Sequence, residues 1–341
     1  MNKITSIELF AGAGGLALGM EKAGFSHVAL NEFNKDASNT LVLNRPNWNV
    51  LSDSISNISW FDYKGKVDIV SGGFPCQAFS HSGKRLGLED TRGTLFYEFA
   101  RTLKEVEPLC FLAENVKGLL THDNGKTLKI IIDTFSDLGY YVFQPLLLNA
   151  NDYEVAQKRE RLLIFGVKKE FKEHFVFTSP PKKEKIVLKD ILISNKYYSN
   201  PITESEGTKY SENKIKYFNL IPEGGNWKNL SLDLQKEYLG KMFYSGGGKT
   251  GILKRLSMNQ PSVTILTSPS QKQTDRCHPL EIRPLTVRES ARIQSFPDEW
   301  KFSGSTSSKY KQIGNAVPVN LGYHVGLYII NQIISFKKID F

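Results

Sequence analysis

The residue that most invites a chemical reading is Cys76, in the segment Gly72-Gly73-Phe74-Pro75-Cys76-Gln77. A cysteine attacks as its thiolate, from a reference pKa of about 8.5, so it gains from nearby positive charge or from helix N-terminal amides. Lys84 and Arg85 follow closely in sequence. Cys110, by contrast, lies inside the apolar run Leu109-Cys110-Phe111-Leu112 and reads as a small buried hydrophobe. A carboxyl group stands in Ala113-Glu114-Asn115-Val116, and two guanidinium groups in Gln157-Lys158-Arg159-Glu160-Arg161. In an extended segment Gln157, Arg159 and Arg161 share one face, because side chains alternate with period two.

A second constellation lies at the N-terminus. The strand-like run Ile4 to Phe10 passes into Ala11-Gly12-Ala13-Gly14-Gly15, and a helix is predicted from Leu16 to about Ala23. Gly12-x-Gly14-x-x-Ala17 lets a ligand approach the backbone at a helix N-terminus, and Glu32, at the end of the next strand, is spaced to meet a ribose hydroxyl. Asp53, after the third strand, is a candidate acceptor for an adenine amino group. This pattern predicts an adenosine-containing cofactor, and a nicotinamide oxidoreductase would show it equally well.

The elements that must position these groups alternate. Ile4–Phe10, Val28–Asn31, Val67–Ser71, Leu109–Ala113, Val142–Leu148 and Leu162–Val167 read as strands between helical stretches, which predicts a parallel α/β sheet. Cys76 and Glu114 then fall at the carboxyl edge of adjacent strands, where such sheets bind ligands. Near Phe177 the texture changes to Ser179-Pro180-Pro181-Lys182-Lys183, and a polar stretch of weak periodicity follows. Regular character returns at Arg283, with a helix from about Thr286 to Ser295 and an apolar helix from Pro318 to Ile334.

Composition bounds the answer. The chain has 341 residues, 40% of them hydrophobic, and no apolar run approaches the ~20 residues that span a bilayer. No secretory leader is visible at Met1 to Phe10. Three cysteines are too few for a disulfide framework, and the six histidines form no zinc-spaced cluster, so a cytoplasmic location and no metal are expected. Forty-four Lys and Arg against 35 Asp and Glu, a net charge of +9, are compatible with a polyanionic partner without requiring one.

Taken together, Phe10-Ala-Gly-Ala-Gly-Gly15, Gly73-Phe-Pro-Cys-Gln77, Glu114-Asn-Val116, Gln157-x-Arg159-x-Arg161, the segment Arg283 to Pro297 and Gln312-Ile-Gly-Asn-Ala-Val-Pro318 resemble, in order and spacing, the motif set of the DNA (cytosine-5)-methyltransferases of prokaryotic restriction-modification type. Phe74-Pro75 where many members have two prolines, and Phe-Ala rather than Phe-Ser in the glycine loop, are variants found in the family. The resemblance implies a Rossmann-like sheet binding S-adenosyl-L-methionine, with S-adenosyl-L-homocysteine as product, and a second, smaller DNA-recognition domain. The expected boundaries are 1–178 for the catalytic and cofactor-binding domain, 179–315 for the recognition domain, and 316–341 for a C-terminal segment returning to the first.

The resemblance also implies roles. Cys76 would add to carbon 6 of a cytosine flipped out of duplex DNA. Glu114 would hydrogen-bond the base, which asks for a carboxyl whose pKa is raised by burial, with Arg159 and Arg161 binding the pyrimidine oxygen and orienting Glu114. The cofactor set would comprise Phe10, Ala11, Gly12, Gly14, Gly15, Leu16, Glu32, Phe33, Asp53, Ser54, Pro75, Leu95, Asn315 and Val317. Ser80, Ser82, Lys84, Arg85 and Arg92, in a mobile catalytic loop, would meet DNA together with Gln157 and Thr264. Thr264-Ile265 resembles the family's threonine-aliphatic pair near the flipped base's backbone, and Lys272, Arg276 and Arg283 are candidate phosphate or guanine contacts. Ser245-Gly-Gly-Gly-Lys-Thr250 is not a nucleotide loop, because Phe243 holds the first glycine's place. The implied partner is double-stranded DNA, met by a monomer, with a cognate restriction endonuclease acting on the same site without a stable complex. An RNA-directed branch of the family shares the catalytic set but carries a Cys-Phe-Thr tripeptide; here Cys110-Phe111 is followed by Leu112.

Overall fold

A computed structural model describes residues 3–75, 95–193, 196–199, 201–202, 205–245, 251–271 and 275–339. Two compact units emerge: one formed by 1–153, 160–183 and 317–341, the other by 154–159 and 184–316.

In the first unit, short β-branched and aliphatic runs make eight strands among the described residues: β1 Ile4–Leu9, β2 Phe25–Asn31, β3 Val50–Leu51, β4 Ile69–Gly72, β5 Cys110–Val116, β6 Tyr140–Val142, β7 Leu146–Asn149 and β8 Glu160–Lys168. Their order is β3-β2-β1-β4-β5-β8-β6, with β7 also paired to β8. β1 to β5 are parallel, as the alternation predicts, but β8 runs antiparallel to β5, and β6 and β7 antiparallel to β8. The sheet is therefore mixed, not wholly parallel. Val142–Leu148, expected as one strand, divides into β6 and β7, which take successive stretches of the same edge of β8.

Strand order reverses between β1 and β4, so the loops leaving these two strands flank the crevice where open α/β sheets bind ligands. Helix α1 (Gly15–Ala23) follows β1 directly, α2 (Lys35–Asn44) follows β2, α3 (Leu95–Val106) precedes β5, and α4 (Lys126–Asp137) follows it. In α3 the buried positions Phe96, Phe99, Ala100, Leu103 and Val106 recur at helical spacing, and in α4 Thr127, Ile131 and Phe135 do so. These faces close over Ile7, Leu9, Val70, Phe111 and Ile164 to make the core.

The second unit holds α5 (Leu188–Leu192), α6 (Glu212–Phe218), α7 (Leu232–Leu239), α8 (Val287–Ile293) and α9 (Thr306–Asn315). Tyr217, Phe218, Ile221, Trp227, Leu239 and Ile252 form its apolar centre. Its strand pairing, among the described residues, is limited to single bridges such as Gln157 with Ser262 and Arg255 with Cys277. The bridge at Gln157 is the physical reason why 154–159 belongs with this unit although the sequence reading runs the first domain unbroken to residue 178.

The last helix, α10 (Val319–Ile339), returns to the first unit and lies against α1. Glycines make the crossing close: a methyl group on Gly19 would stand 2.5 Å from the Val319 carbonyl oxygen and 2.6 Å from the Tyr323 nitrogen. Gly322 fits over Leu16 and Gly326 over Met20. No helix among the described residues is long and apolar enough to cross a membrane.

Candidate active site

β4 and β5 are in parallel register with Gly72 opposite Ala113, so the chain leaving β4 runs beside the residue that follows Ala113, which is Glu114. The buried Asn115 donates from Nδ2 to the Phe74 carbonyl at 2.9 Å and fixes the turn Gly73-Phe74-Pro75. Phe74 is itself buried, edge-on to Phe96 and Phe99. Gly73 is glycine for a spatial reason: a methyl group there would stand 2.6 Å from Glu114 Oε2. Pro75 is exposed at the end of this turn. Cys76 comes next in sequence and, with Ser80, Ser82, Lys84, Arg85 and Arg92, lies outside the described residues.

Antiparallel pairing of β5 with β8 sets Val116 opposite Arg161, and the Arg161 Nε meets Glu114 Oε1 at 2.6 Å. Both groups are nearly buried, at 9% exposure each. Burial pulls the Arg161 pKa down and the Glu114 charge opposes that pull. Arg161 Nη1 donates to the Glu160 carbonyl. A carboxylate and a guanidinium are thus held rigidly at the sheet edge, next to the turn that leads into the cysteine.

Burial alternates from 157 to 161, with Gln157, Arg159 and Arg161 inward and Lys158 and Glu160 outward, as period two demands. Their partners differ by unit. Arg159, in the second unit and 2% exposed, donates from Nη1 to the Ile265 carbonyl and from Nη2 to the Gly314 carbonyl. Gln157, expected at DNA, is fully buried: Nε2 donates to Gln294 Oε1 and Oε1 accepts from the Ile265 N–H. Its amide serves the interior of the unit. Thr264 is half-buried and donates from Oγ1 to the Lys158 carbonyl. Arg276 and Arg283 are not free surface cations either. Arg276 is 5% exposed and bound to the Thr264 carbonyl, and Arg283 pairs with Glu289 and Glu281. Lys272 lies outside the described residues.

The glycine loop is built around unusual dihedrals. Phe10, Gly12 and Gly14 have φ of 55°, 56° and 82°, and only the glycines carry no steric penalty there. Gly14 serves as the N-cap of α1, and its N–H donates to the Ala11 carbonyl. Nothing comes within 4 Å of the place a Gly12 side chain would occupy, which leaves open space above the loop. Glu32 accepts the Gly12 N–H on Oε2 and the Asn34 N–H on Oε1, each at 2.7 Å, and burial raises its pKa. Asn31 donates from Nδ2 to the carbonyls of Leu51 and Asp53, which ties the ends of β2 and β3 together and sets Asp53 near Glu32. The exposed Asp53 takes the Ser54 N–H and the Asn57 side chain on Oδ1.

Ala11, Gly15 and Leu16 are buried parts of the loop and helix start, while Phe33 is 71% exposed beside them. Leu95 is half-buried at the start of α3. Val317 is buried in the first unit, and Asn315 is an exposed residue of the second. Two acceptors for a ribose diol, an exposed carboxylate for an amine, an open glycine loop and neighbouring aromatic rings form a set suited to an adenosyl group.

Sequence reasoning missed Glu8. Its carboxyl, 2% exposed in β1, accepts the Ser71 hydroxyl at 3.2 Å and a backbone bond from Ala17 in the first turn of α1, and burial pushes its pKa up to about 8. His27 holds the carbonyl of the same residue, with Nε2 at 2.8 Å from the Ala17 oxygen and Nδ1 at 2.8 Å from Ser6 Oγ. A lone acid within an apolar strand was the available signal. Cys110 is fully buried with its thiol pKa pushed well up, as befits a packing residue. No group of His, Cys, Asp and Glu suited to a metal occurs among the described residues.

An open glycine loop after β1 and a buried Glu114–Arg161 pair at the carboxyl edge of a Rossmann-like sheet are features of a methyltransferase class, and the model of the C-5 cytosine-specific DNA methylases matches residues 4–331. The chain belongs to that family and is a DNA (cytosine-5)-methyltransferase, not a member of its RNA-directed branch. It is 53% identical over 338 residues to the Type II methyltransferase M.Eco47II of Escherichia coli, covering 99% of this chain and 81% of the relative. It is 47% identical to M.Sau96I of Staphylococcus aureus, covering 97% of this chain and 76% of that one. Among solved structures, a DNA modification methyltransferase encoded within an E. coli prophage aligns with a TM-score of 0.68 at 26% identity, covering 97% and 99% of the two chains. The Entamoeba histolytica methyltransferase EhMeth, at 14% identity and a TM-score of 0.66 over 98% and 99%, shares the fold.

Proposed function

We propose that the chain methylates carbon 5 of one cytosine in a short duplex DNA site through a covalent Cys76 adduct, and that it protects host DNA in a restriction-modification system. The observation that carries this reading is the buried Glu114–Arg161 pair at the carboxyl edge, beside the Gly73-Phe74-Pro75 turn that delivers Cys76. The protective role is supported by the Type II names of the relatives. A monomer acting in the cytoplasm fits modification of each strand in separate encounters, with a cognate endonuclease reading the same site and forming no stable complex with it.

Cytosine carbon 5 is a weak nucleophile, and the residues present answer that difficulty. The Cys76 thiolate adds to carbon 6 of the flipped base, and electron density moves to carbon 5 as an enamine. Glu114 holds the base at nitrogen 3 and the exocyclic amine, where charge develops, and Arg161 fixes the carboxylate while reaching toward the pyrimidine oxygen. Arg159 supports the Ile265 peptide of the second unit. S-adenosylmethionine, when bound by Phe10, Ala11, Gly12, Gly14, Gly15, Leu16, Glu32, Phe33, Asp53, Ser54, Pro75, Leu95, Asn315 and Val317, would supply an electrophilic methyl group. Once carbon 5 is methylated, its proton leaves to a base, the carbon 6–sulfur bond breaks, and Cys76 departs as thiolate. Thr264 meets the target strand's backbone, and the segment from Ser80 to Arg92 closes over the base with Lys84, Arg85 and Arg92 on phosphates.

The test is transfer of labelled methyl from S-adenosylmethionine to unmethylated duplex DNA by wild type and Cys76→Ser, followed by bisulfite sequencing. Methylation at one short motif, reduced about a thousandfold or more in the variant, is the expected result. Undiminished transfer by Cys76→Ser would overturn the covalent route. Absence of any transfer to DNA by the wild type would overturn the substrate.

A further inference from the structure

We infer that Arg276 is a positioning residue for target recognition, which locks the turn from Thr264 to Pro269 in the shape that meets the target strand. This rests on the reading above that Thr264 contacts that strand. Arg276 lies in the second unit, 5% exposed, and its guanidinium brackets one carbonyl: Nε at 3.0 Å and Nη2 at 2.8 Å from Thr264 O. Its backbone N–H donates to the Pro269 carbonyl at 3.0 Å, so a single residue holds the first and last peptides of the turn. Nη1 donates back to the Asp275 carbonyl and fixes the side chain's direction.

The rest of the turn is held as tightly. The Ile265 N–H donates to Gln157 Oε1 at 2.7 Å, and its carbonyl accepts from Arg159 Nη1 at 2.9 Å. Gly314 presses on the Leu266 peptide so closely that a methyl group there would stand 2.5 Å from the Leu266 carbonyl carbon. Asp275, fully buried, adds the Lys214 ammonium at 2.7 Å and the Leu253 N–H at 3.0 Å to the same scaffold. The Thr264 carbonyl and both backbone groups of Ile265 are thus satisfied by buried polar side chains. Its outer face offers the half-buried Thr264 and the exposed Leu266 and Thr267.

Such an arrangement is costly to build if the turn only connects two elements, because it commits two buried guanidiniums and a buried amide to two adjacent peptides. It makes sense as preorganisation, in which the turn meets a phosphodiester backbone without first having to be ordered. The device predicts a particular split. Loss of Arg276 weakens capture of DNA while leaving the methyl-transfer chemistry and methyl-donor binding, whose residues apart from Arg159 and Asn315 belong to the first unit, largely in place.

Arg276→Met and Arg276→Lys in the full chain test this, with KM for duplex DNA, kcat and S-adenosylmethionine affinity measured for each. We expect KM for DNA to rise about tenfold or more in Arg276→Met, a smaller rise in Arg276→Lys because an ammonium restores one bond to the Thr264 carbonyl, kcat within about threefold of wild type, and unchanged donor affinity. If Arg276 acts through Thr264, adding Thr264→Val to Arg276→Met costs less than the product of the separate effects. Unchanged KM in Arg276→Met, equal falls in kcat and donor affinity, or full additivity with Thr264→Val would each overturn the inference. Should Arg276→Met fail to fold, the Arg276→Lys ratio of KM to kcat decides by itself. Wild-type protein that transfers no methyl to DNA would remove the underlying reading, whereas wild-type transfer with variant KM unchanged removes this inference alone.

Discussion

The two units hold their important residues in place by different means. In the first, position follows from strand register: Gly72 opposite Ala113 and Val116 opposite Arg161 bring the cysteine turn, Glu114 and Arg161 to one edge. In the second, where strand pairing among the described residues shrinks to single bridges, position follows from side chains that grip peptides, with Arg276, Arg159, Gln157, Gln294 and Arg255 each bonded to buried carbonyls or amides. A backbone ladder tolerates many side chains, provided volume and pattern are kept, so the weak points of the first unit should be places where backbone meets backbone. A side-chain scaffold has no such tolerance. Its weak points should be buried polar residues, each of which leaves unpaired groups when removed.

The largest expected effect tests the first half of this contrast. Gly19→Val places a branched side chain where even a methyl group would stand 2.5 Å from the Val319 carbonyl and 2.7 Å from the Gly322 carbonyl carbon, and neither α1 nor α10 can yield there without moving backbone. We expect about 3 kcal/mol of lost stability in urea unfolding, toward the upper end for overpacking of a close interface. A loss under about 1 kcal/mol would mean that the crossing relaxes and that backbone proximity is not what fixes the first unit.

The second half is tested by Gln294→Leu. Gln294 is fully buried, accepts from Gln157 Nε2, and donates from Nε2 to the carbonyls of Ile313 and Ala316 at 2.7 and 3.1 Å. Leucine keeps most of the volume but strands those groups. A cost of about 2 kcal/mol is expected, at the scale of orphaned buried polar groups. A neutral or stabilising result would show that packing, not hydrogen bonding, shapes this part of the second unit.

The same contrast explains what could be read from the sequence. Strands and their adjacent helices were legible because hydrophobic period and glycine placement are local signals, and Glu114 could be set at the carboxyl edge from strand order alone. The antiparallel insertion of β8 was not, since pairing partners distant in sequence leave no trace in periodicity. Gln157, Arg276 and Arg283 were read as groups available to DNA because a polar side chain in a weakly periodic region looks exposed. Gln157 and Arg276 instead hold peptides 108 and 12 residues away, and Arg283 is taken up by Glu281 and Glu289, pairings about which composition says nothing. Glu8 escaped notice for the opposite reason: a single acid in the strand Ile4–Leu9 looks like an edge position, yet the sheet buries it on both sides.

Glu8 gives the most specific effect, because it depends on pH. Its carboxyl has a pKa of about 8 in the folded chain against an ordinary 4.5, so between these values the folded state binds a proton that the unfolded state has released. Stability is therefore fully supported by this group below about pH 4.5, declines as pH rises toward 8, and is flat beyond it. His27 acts in the other direction. Burial lowers its pKa, so its contribution is present above the unfolded value of 6.5 and is lost as pH falls. Glu8→Gln keeps an acceptor for the Ala17 N–H and a partner for Ser71 while removing the titration, and it leaves His27 unchanged. The difference in unfolding free energy between wild type and Glu8→Gln thus isolates the carboxyl. It should favour the wild type most at low pH and shrink steadily up to about pH 8. Parallel stability curves for the two proteins across that range would show that Glu8 is ionised in the fold, with the first turn of α1 paired to a carboxylate rather than to a neutral acid.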